Sequence, residues 1–279
     1  MGQQHSVTSE LRHWILRQRA AHYPPQLLYT QLLAAGWSKD VAKQALTEGD
    51  PFAQLVTSAP EKPMPEPDLR GSPLYIDVGD RHVQVVQALE HPRLVMFDGL
   101  LSADECTALI SAARSRLQRS QVLDGDTGEN ILDAMRSSDG MFFERGENEL
   151  IARLEQRIAL LLRWPLVSGE GLQVLRYAPG AEYAPHYDYF DPQHEGNRQA
   201  LSQGGQRVAT LLMYLQAPER GGATVFPDIG LELMPRCGSA VFFSYDEAHP
   251  STRTLHGGSP VLAGEKWVAT KWLREYALV

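Results

Sequence analysis

The spacing of hydrophobic residues differs between the two ends of the chain. Over residues 9–48 the apolar positions recur every three or four residues, which predicts three short amphipathic helices. Gly36 marks the end of the second predicted helix, and Ser38 is placed as the N-cap of the third. After Gly171 the apolar residues form short runs bounded by turn residues, which is the pattern of β-strands.

Two longer helices are predicted between these regions. Ser102 and Glu105 have the spacing of a capping box before an amphipathic stretch to about residue 117, and another apolar stripe covers residues 147–162. The predicted strands cover residues 94–97, 173–178, 183–187, 207–215, 223–226, 231–234, 240–244, 252–256 and 266–274. Short strands at this spacing, with helices beside them, predict an α+β fold with a double-stranded β-helix (jelly-roll) core and supporting helices.

A proline-rich stretch separates the two regions. Six of the 18 prolines fall between residues 50 and 73, which predicts a semi-extended linker. We therefore expect a small helical module at 1–49, a linker at 50–74 and one larger domain at 75–279. The stretch LLAAGWSKDVAKQALTEG resembles the ubiquitin-associated type of three-helix bundle. A helical docking or solubilising module is nevertheless favoured over ubiquitin binding, and the sequence identifies no partner for it.

Composition and charge exclude several classes of protein. The 279 residues include 26 basic and 34 acidic side chains, and this net charge of −8 argues against a general nucleic-acid partner. No apolar run approaches the ~18 residues of a membrane span, and the start lacks the basic-then-apolar pattern of a signal peptide. Two cysteines are too few for a disulfide framework or a thiolate metal site. We expect a cytoplasmic protein without a membrane partner, in which histidine and carboxylate hold any metal.

One His-x-Asp sequence is the starting point for a metal site. His186 and Asp188 are two apart on a predicted strand, so their side chains point to the same face. His256 is the third candidate, since two histidines and one carboxylate form the ligand set of non-haem Fe(II) oxygenases. Zinc is the rival metal, but the sequence lacks the helical HExxH motif that often supplies its general base. His249, close to His256, is the alternative third ligand.

A lysine on the last predicted strand indicates an anionic ligand. The two-residue period of a strand places Lys266, Val268, Thr270 and Trp272 on one face. The apolar neighbours on this face predict that Lys266 points into the core, where a lysine is costly unless an anion meets it. An anionic cosubstrate would supply that partner.

Five sequence blocks stand in a defined order over residues 173–273. They are LQVLRYAPGAEYAPHYDYF, RVATLLMYLQ, GGATVFP, CGSAVFF and HGGSPVLAGEKWVATKWL. They resemble the Fe(II)- and 2-oxoglutarate-dependent dioxygenases, and most of all their prolyl 4-hydroxylase branch. The segments FDGLLSADECTALISAARSRL and MRSSDGMFF are similar to that family's helical lead-in and Arg-x-Ser strand, so the resemblance covers about residues 92–276.

The resemblance implies a role for individual residues. It implies that His186, Asp188 and His256 are catalytic and bind iron, and that Lys266 pairs with the distal carboxylate of 2-oxoglutarate. The other residues implied near the cosubstrate are Tyr177, Tyr214 and Thr270, and those near the substrate are Arg136, Tyr183, Arg207 and Trp272. Arg207 and Tyr214 are seven apart, so both can serve one site only if a bulge intervenes or Arg207 sits at the strand mouth.

Two positions depart from the collagen-type enzymes in ways that bear on substrate choice. A histidine commonly follows the KW-aliphatic run in those enzymes, where this chain has Arg274, and a cysteine often precedes Pro-Val, where this chain has Ser259.

The resemblance also implies an activity. Fe(II), 2-oxoglutarate and O2 would be the cofactors, with ascorbate as a further candidate, and succinate and CO2 would be released. The leading substrate is a peptide or protein proline, which the aromatic residues Tyr183, Tyr187 and Trp272 suit. A free amino acid or other small metabolite is the alternative. A nucleic-acid demethylase is disfavoured, because that branch has arginine at the place of Lys266. An alternative of another class is a non-catalytic binding protein that acts through its N-terminal helices.

Overall fold

The computed structural model describes residues 7–8, 11, 14–15, 25–47, 63–120, 122–123, 130–131 and 137–278. The chain divides into two compact units, Met1–Pro63 and Met64–Val279, and the division lies within the proline-rich stretch. None of the described helices has the length and apolar character needed to cross a membrane.

The N-terminal unit contains two described helices, α1 (Pro25–Ala34) and α2 (Lys39–Thr47). Gly36, with φ +88°, turns the chain between them, and the Ser38 hydroxyl accepts a hydrogen bond from the Val41 amide as an N-cap. Leu11, Ile15, Leu28, Leu32, Val41, Ala42, Ala45 and Leu46 form the buried core of the unit. Most of the first predicted helix lies outside the described residues.

Antiparallel strands dominate the second unit. In chain order they are β1 (Tyr75–Asp77), β2 (His82–Leu89), β3 (Leu94–Asp98), β4 (Gln118–Arg119), β5 (Val122–Leu123), β6 (Asn130–Ile131), β7 (Asp139–Phe143), β8 (Leu172–Tyr177), β9 (Tyr183–His186), β10 (Arg207–Gln216), β11 (Arg220–Gly221), β12 (Thr224–Phe226), β13 (Leu231–Leu233), β14 (Ala240–Ser244), β15 (His256–Gly258), β16 (Val261–Ala263) and β17 (Lys266–Arg274). A nine-stranded sheet has the order β1-β2-β3-β14-β10-β17-β8-β7-β4, and a four-stranded sheet has the order β13-β12-β15-β9. The prediction of a β-rich core with few helices is confirmed.

The nine-stranded sheet has an apolar cluster on each face. On one face, Leu211 and Trp267 belong to a cluster that includes residues of α3 (Ala103–Arg114) and α4 (Glu149–Leu162). On the other face, Tyr214 and Val268 share a cluster with Phe226 of the four-stranded sheet. The four-stranded sheet therefore packs over the middle of the nine-stranded sheet, where strands of both sheets can contribute to one site.

The predicted start of α3 is confirmed. The Glu105 amide donates to the Ser102 hydroxyl at 3.1 Å, and the Ser102 amide donates to Glu105 Oε2 at 2.9 Å. These reciprocal bonds satisfy donors that a helix N-terminus otherwise leaves unpaired.

The predicted strand at residues 252–256 is wrong. Pro250–Thr252 forms a 3₁₀ turn instead, since the fixed φ of proline suits the first position of a helical turn. Arg253 then adopts a left-handed conformation with φ +53°, which ends the turn. The strand begins at His256, so the turn determines where this histidine enters the four-stranded sheet.

Candidate active site

Three side chains able to bind a metal meet at the edge of the four-stranded sheet. His186 ends β9 and lies directly opposite His256, which begins β15, and Asp188 follows two residues after His186. His186 Nε2 lies 3.4 Å from Asp188 Oδ1, and His256 Nε2 lies 3.5 Å from Asp188 Oδ2. The potential ligand atoms all lie within 4.8 Å of one another. Strand pairing thus brings together residues about 70 positions apart at distances that one ion can bridge.

Backbone carbonyls orient both imidazole rings. His186 Nδ1 lies 3.0 Å from the carbonyl oxygen of Ala184, and His256 Nδ1 lies 2.9 Å from that of Thr254. A carbonyl only accepts, so each Nδ1 carries a proton and Nε2 is the atom of each ring that can bind a metal. Burial lowers the pKa of His256 to about 4, which keeps this ring neutral near pH 7.

The Asp188 carboxylate is held by a chain of hydroxyl groups. Thr210 Oγ1 donates to Asp188 Oδ2 at 2.7 Å, and the Tyr245 hydroxyl lies 3.0 Å from Thr210 Oγ1. Because Thr210 gives its proton to Asp188, Tyr245 is the donor in the second bond. Burial acts to raise the pKa of Asp188, but His256, His186 and Arg207 outweigh it and hold this pKa well below its ordinary range. The carboxylate is therefore charged and fixed in place.

Lys266 lies in the same cavity as these three residues. It is buried, and the rings of Tyr177 and Tyr214 lie 5.5 and 5.8 Å from its Nζ. No carboxylate of the described residues forms an ion pair with it, and burial lowers its pKa to about 8. Val268, Thr270 and Trp272 line this cavity too, as the two-residue period predicts.

The residues predicted near the cosubstrate surround Lys266. Tyr177 on β8 is the cross-strand partner of Lys266. The Tyr214 hydroxyl donates to Thr224 Oγ1 at 2.8 Å, and burial raises the pKa of Tyr214, so this phenol is neutral. Thr270 is buried on the lining of the cavity. The cavity thus has a cation at one side and a potential metal site at the other.

A larger groove of about 1230 Å³ is lined by two of the three ligands, His186 and Asp188. The Tyr183 ring stacks on His186 with centroids 3.8 Å apart, and the Arg207 guanidinium lies 3.9 Å from the Trp272 ring centroid. Trp272 Nε1 is buried without a hydrogen-bond partner among the described residues. The rings of Tyr183 and Trp272 thus give the groove an aromatic surface, and the buried Trp272 N–H lies beside it.

A β-bulge explains how Arg207 reaches this groove. The pairing of β10 with β17 shifts register between Arg207 and Ala209, which is the irregularity that the seven-residue separation from Tyr214 requires. The Arg207 guanidinium binds both oxygens of Glu170 at 2.8 Å and donates to the backbone carbonyl of Asp188 at 3.2 Å.

Three other residues singled out in the sequence do not join the ligand group or the cavity in the described part of the structure. Arg136 lies outside the described residues. His249, the alternative third ligand, does not join the ligand group; it is exposed, and its Nδ1 contacts Ser251. Ser259 lines neither the cavity nor the groove.

Sequence reasoning missed Thr210, Tyr245 and Glu170. Thr210 is a polar residue within the apolar run VATLLMYL, and this interruption is the one signal that could have indicated a buried polar role.

The donor set fits Fe(II). Two neutral imidazoles and one charged carboxylate on one side of an ion leave its other positions open, as in the 2-His-1-carboxylate sites of non-haem iron oxygenases. The unpaired Lys266 ammonium fits the distal carboxylate of 2-oxoglutarate.

Comparisons with known proteins agree with this chemistry. The family model described as "2OG-Fe(II) oxygenase superfamily" matches residues 172–274. Prolyl 4-hydroxylase 2 of Arabidopsis thaliana is 37% identical over 213 residues, covering 68% of this chain and 70% of the relative. Prolyl 4-hydroxylase 1 of the same plant is 41% identical over 203 residues, covering 67% and 70%.

A solved structure shares the fold. The 2-oxoglutarate complex of the viral collagen prolyl hydroxylase from Paramecium Bursaria Chlorella virus-1 is 34% identical with a TM-score of 0.50, and the match covers 65% of this chain and 95% of that one. Identity and coverage at these levels, over the segment that carries the ligand group and Lys266, place the chain in a known family. It belongs to the prolyl 4-hydroxylase family of 2-oxoglutarate- and Fe(II)-dependent oxygenases.

Proposed function

We propose that this protein hydroxylates a proline residue of a peptide or protein, using Fe(II), 2-oxoglutarate and O2 and releasing succinate and CO2. The observation that carries the proposal is a single cavity that holds both the three potential iron ligands and a buried lysine to which no described residue offers a carboxylate. Relatives named prolyl 4-hydroxylases support proline as the target.

The iron would be held by His186 Nε2, His256 Nε2 and the Asp188 carboxylate. When bound, Fe(II) and 2-oxoglutarate together supply the activation of O2 that a C–H hydroxylation needs. The chain's own contribution is to present these ligands ready for the metal: the carbonyls of Ala184 and Thr254 fix the rings, and Thr210 fixes the carboxylate.

Lys266 would bind the distal carboxylate of 2-oxoglutarate. A buried ammonium without a counterion is unfavourable, so an incoming carboxylate gains affinity by removing that cost. Tyr177, Tyr214 and Thr270 line the same cavity and would surround the cosubstrate. Because Lys266 has no competing carboxylate among the described residues, the site is selective for an anionic ligand.

The groove over the ligands would hold the substrate. Its aromatic surface from Tyr183, Tyr187 and Trp272 suits the apolar ring of proline, and the buried Trp272 N–H, which has no acceptor among the described residues, is a donor for a peptide carbonyl. A volume of about 1230 Å³ exceeds what a free amino acid fills, which favours a peptide. Arg136 belongs to the same predicted substrate set.

We assign the two facing sheets to a double-stranded β-helix, which their antiparallel order and shared core support. For the N-terminal unit we propose a three-helix module, supported by the burial of Leu11 and Ile15 with α1 and α2.

Activity on defined peptides tests the proposal. The purified protein with Fe(II), 2-oxoglutarate and ascorbate should add one oxygen to proline-containing peptides and release an equal amount of succinate. Omitting ascorbate tests whether it is required. His256→Ala should abolish both products and metal binding, whereas His82→Ala, which changes an exposed histidine that lines neither the cavity nor the groove, should leave them intact.

Two results would contradict the proposal. Succinate release stimulated by a free amino acid, with no oxygen added to any peptide, would favour a metabolite hydroxylase. A protein that binds no iron and releases no succinate would favour a non-catalytic role.

A further inference from the structure

The chain segment 191–205 forms one side of the groove and makes an unusual set of contacts with Arg274. The segment includes the short helix α5 (Arg198–Ser202). Its residues on the groove are Asp191, Pro192, Gln193, Asn197, Ala200 and Gln203. We propose that Arg274 is a positioning residue that holds this segment as one wall of the groove and thereby determines which peptides bind. This inference rests on the proposed function.

The segment is closed at its base. The Gln206 side chain accepts from the Phe190 amide at 2.8 Å and donates to the Phe190 carbonyl at 2.7 Å. Inside the segment, the buried Asn197 donates to the carbonyl of Asp191 at 2.9 Å. Paired ends and an internal side-chain contact are the properties of a compact Ω-loop, which keeps its shape without a ligand.

Arg274 fastens this closed segment to the end of β17. Its Nη2 lies 2.5 Å from the Ala200 carbonyl, 2.6 Å from that of Gln203 and 2.5 Å from that of Gly205, and its Nε lies 3.1 Å from Gly205. The last carbonyls of a helix lack intrahelical partners, and a buried guanidinium supplies donors for them. Arg274 is 4% exposed, so water cannot replace these bonds cheaply.

The turn at Gly204 and Gly205 allows this contact. Both residues have positive φ, +84° and +73°. A Cβ at Gly204 would lie 2.7 Å from a methyl group of Leu278, and one at Gly205 would lie 2.6 Å from a carboxylate oxygen of Glu275. The positive φ values favour glycine at both positions, and the absence of side chains lets this turn lie against the residues that follow β17, beside Arg274.

Only arginine has the donors for this arrangement. Its planar group carries five N–H bonds, whereas lysine carries a single charged centre and histidine has at most two ring N–H groups. The Nη1 of Arg274 donates to Glu170 Oε1 at 3.0 Å, and Glu170 also binds Arg207. Arg274 lines the groove as well, but most of its donors are committed to the segment, so it would act on the substrate mainly through the wall.

The wall is distant from the proposed cosubstrate site. Lys266 and Arg274 occupy opposite ends of β17, eight residues apart, which at the rise of a strand is roughly 26 Å. Loss of the wall should therefore weaken peptide binding and leave 2-oxoglutarate binding unchanged.

Arg274→His and Arg274→Lys test the inference, with Arg236→Lys as a control at an exposed arginine outside the groove. For Arg274→His we expect a peptide KM about tenfold higher, the equivalent of one lost buried hydrogen-bond contact, and an unchanged 2-oxoglutarate KM. Amide hydrogen exchange should rise within 191–205 but not within β10 and β17. Arg274→Lys, which keeps the charge beside Glu170, should give a smaller change in the same direction.

Each other result overturns the inference. A segment that stays protected in Arg274→His shows that Arg274 does not hold it. A segment that exchanges freely while the peptide KM is unchanged shows that the wall does not select substrates. An equal rise of both KM values in both variants shows a general structural role. Hydrogen exchange needs no substrate, so it tests the contact even if the wild-type protein hydroxylates no peptide and the proposed function fails.

Discussion

β17 carries two buried lysines whose surroundings are opposite. Lys271 is 2% exposed, and its Nζ lies 2.5 Å from Glu155 Oε1 on α4. Lys266 is 4% exposed, on the other face of the strand, and has no carboxylate partner among the described residues. Burial lowers the pKa of both, but Glu155 counteracts this for Lys271. Within the fold, the charge of Lys271 is paired with Glu155, whereas the charge of Lys266 is available to a ligand.

This difference separates a structural lysine from a binding lysine. Removing one member of a buried pair strands the other charge, so Lys271 is expected to matter for stability. The burial of the Lys266 ammonium is unfavourable until an anion binds beside it. Lys266 is therefore expected to matter for the affinity of the anionic ligand. Burial alone does not distinguish the two roles; the presence of a partner does.

The largest expected effect is on stability at Lys271. Lys271→Met should lower the free energy of unfolding by about 3–5 kcal/mol, because the buried Glu155 side chain loses its cationic partner. Urea denaturation measures this change. The double variant Lys271→Met with Glu155→Met should recover much of the loss, since an apolar pair of similar volume replaces the ions. If the single variant unfolds like the wild type, the structural role of the pair is wrong.

A substitution at Lys266 should weaken 2-oxoglutarate binding without lowering the stability of the fold. Lys266→Met removes the cation expected to meet 2-oxoglutarate, so the 2-oxoglutarate KM should rise about 100-fold, or roughly 2.7 kcal/mol. The free energy of unfolding should stay the same or increase, because an unpaired buried charge is gone. A variant with a normal KM would show that the distal carboxylate binds elsewhere.

A similar contrast exists between hydroxyl groups around the metal ligands. Thr210→Val keeps the shape of the side chain but leaves Asp188 Oδ2 without its donor, so Fe(II) affinity should fall about tenfold. Tyr245→Phe removes the outer bond of the chain and should cause a smaller loss. Titration with Co(II) as a spectroscopic stand-in measures both affinities without turnover. Equal affinities in all three proteins would show that the Asp188 carboxylate needs no support from these hydroxyls.

The two-residue period of β17 was sufficient to predict which of its side chains share the cavity. Lys266 and Thr270 lie on its lining because strand geometry alone decides their face. The same reasoning could not identify Glu155 as the partner of Lys271, because the two are 116 residues apart and meet only through packing of α4 on the sheet.

Irregular backbone explains most other differences between the predicted elements and those of the structure. β2 was not predicted, since its mixture of exposed and buried positions does not alternate. The strand assigned to residues 252–256 was wrong because a proline-initiated turn replaces it. Arg274 was noted only as a departure from related enzymes, and its role as an anchor depends on carbonyls 69 to 74 residues away in the chain.

The smallest expected effect is a dependence of stability on pH that belongs to Lys266. Its pKa in the folded protein is about 8, below its ordinary value, so the unfolded chain binds more protons between about pH 8 and pH 10. The contribution of Lys266 to the free energy of unfolding should therefore increase as pH rises through that interval. It should be lowest below pH 8, where the buried lysine is charged. Thermal unfolding of the wild type and Lys266→Met from pH 7 to pH 10 measures it. The difference in Tm between the two proteins should narrow as pH rises, since deprotonation removes the charge that the substitution removes. A constant difference would show that the Lys266 ammonium is already compensated within the folded protein, and the contrast with Lys271 would then be lost.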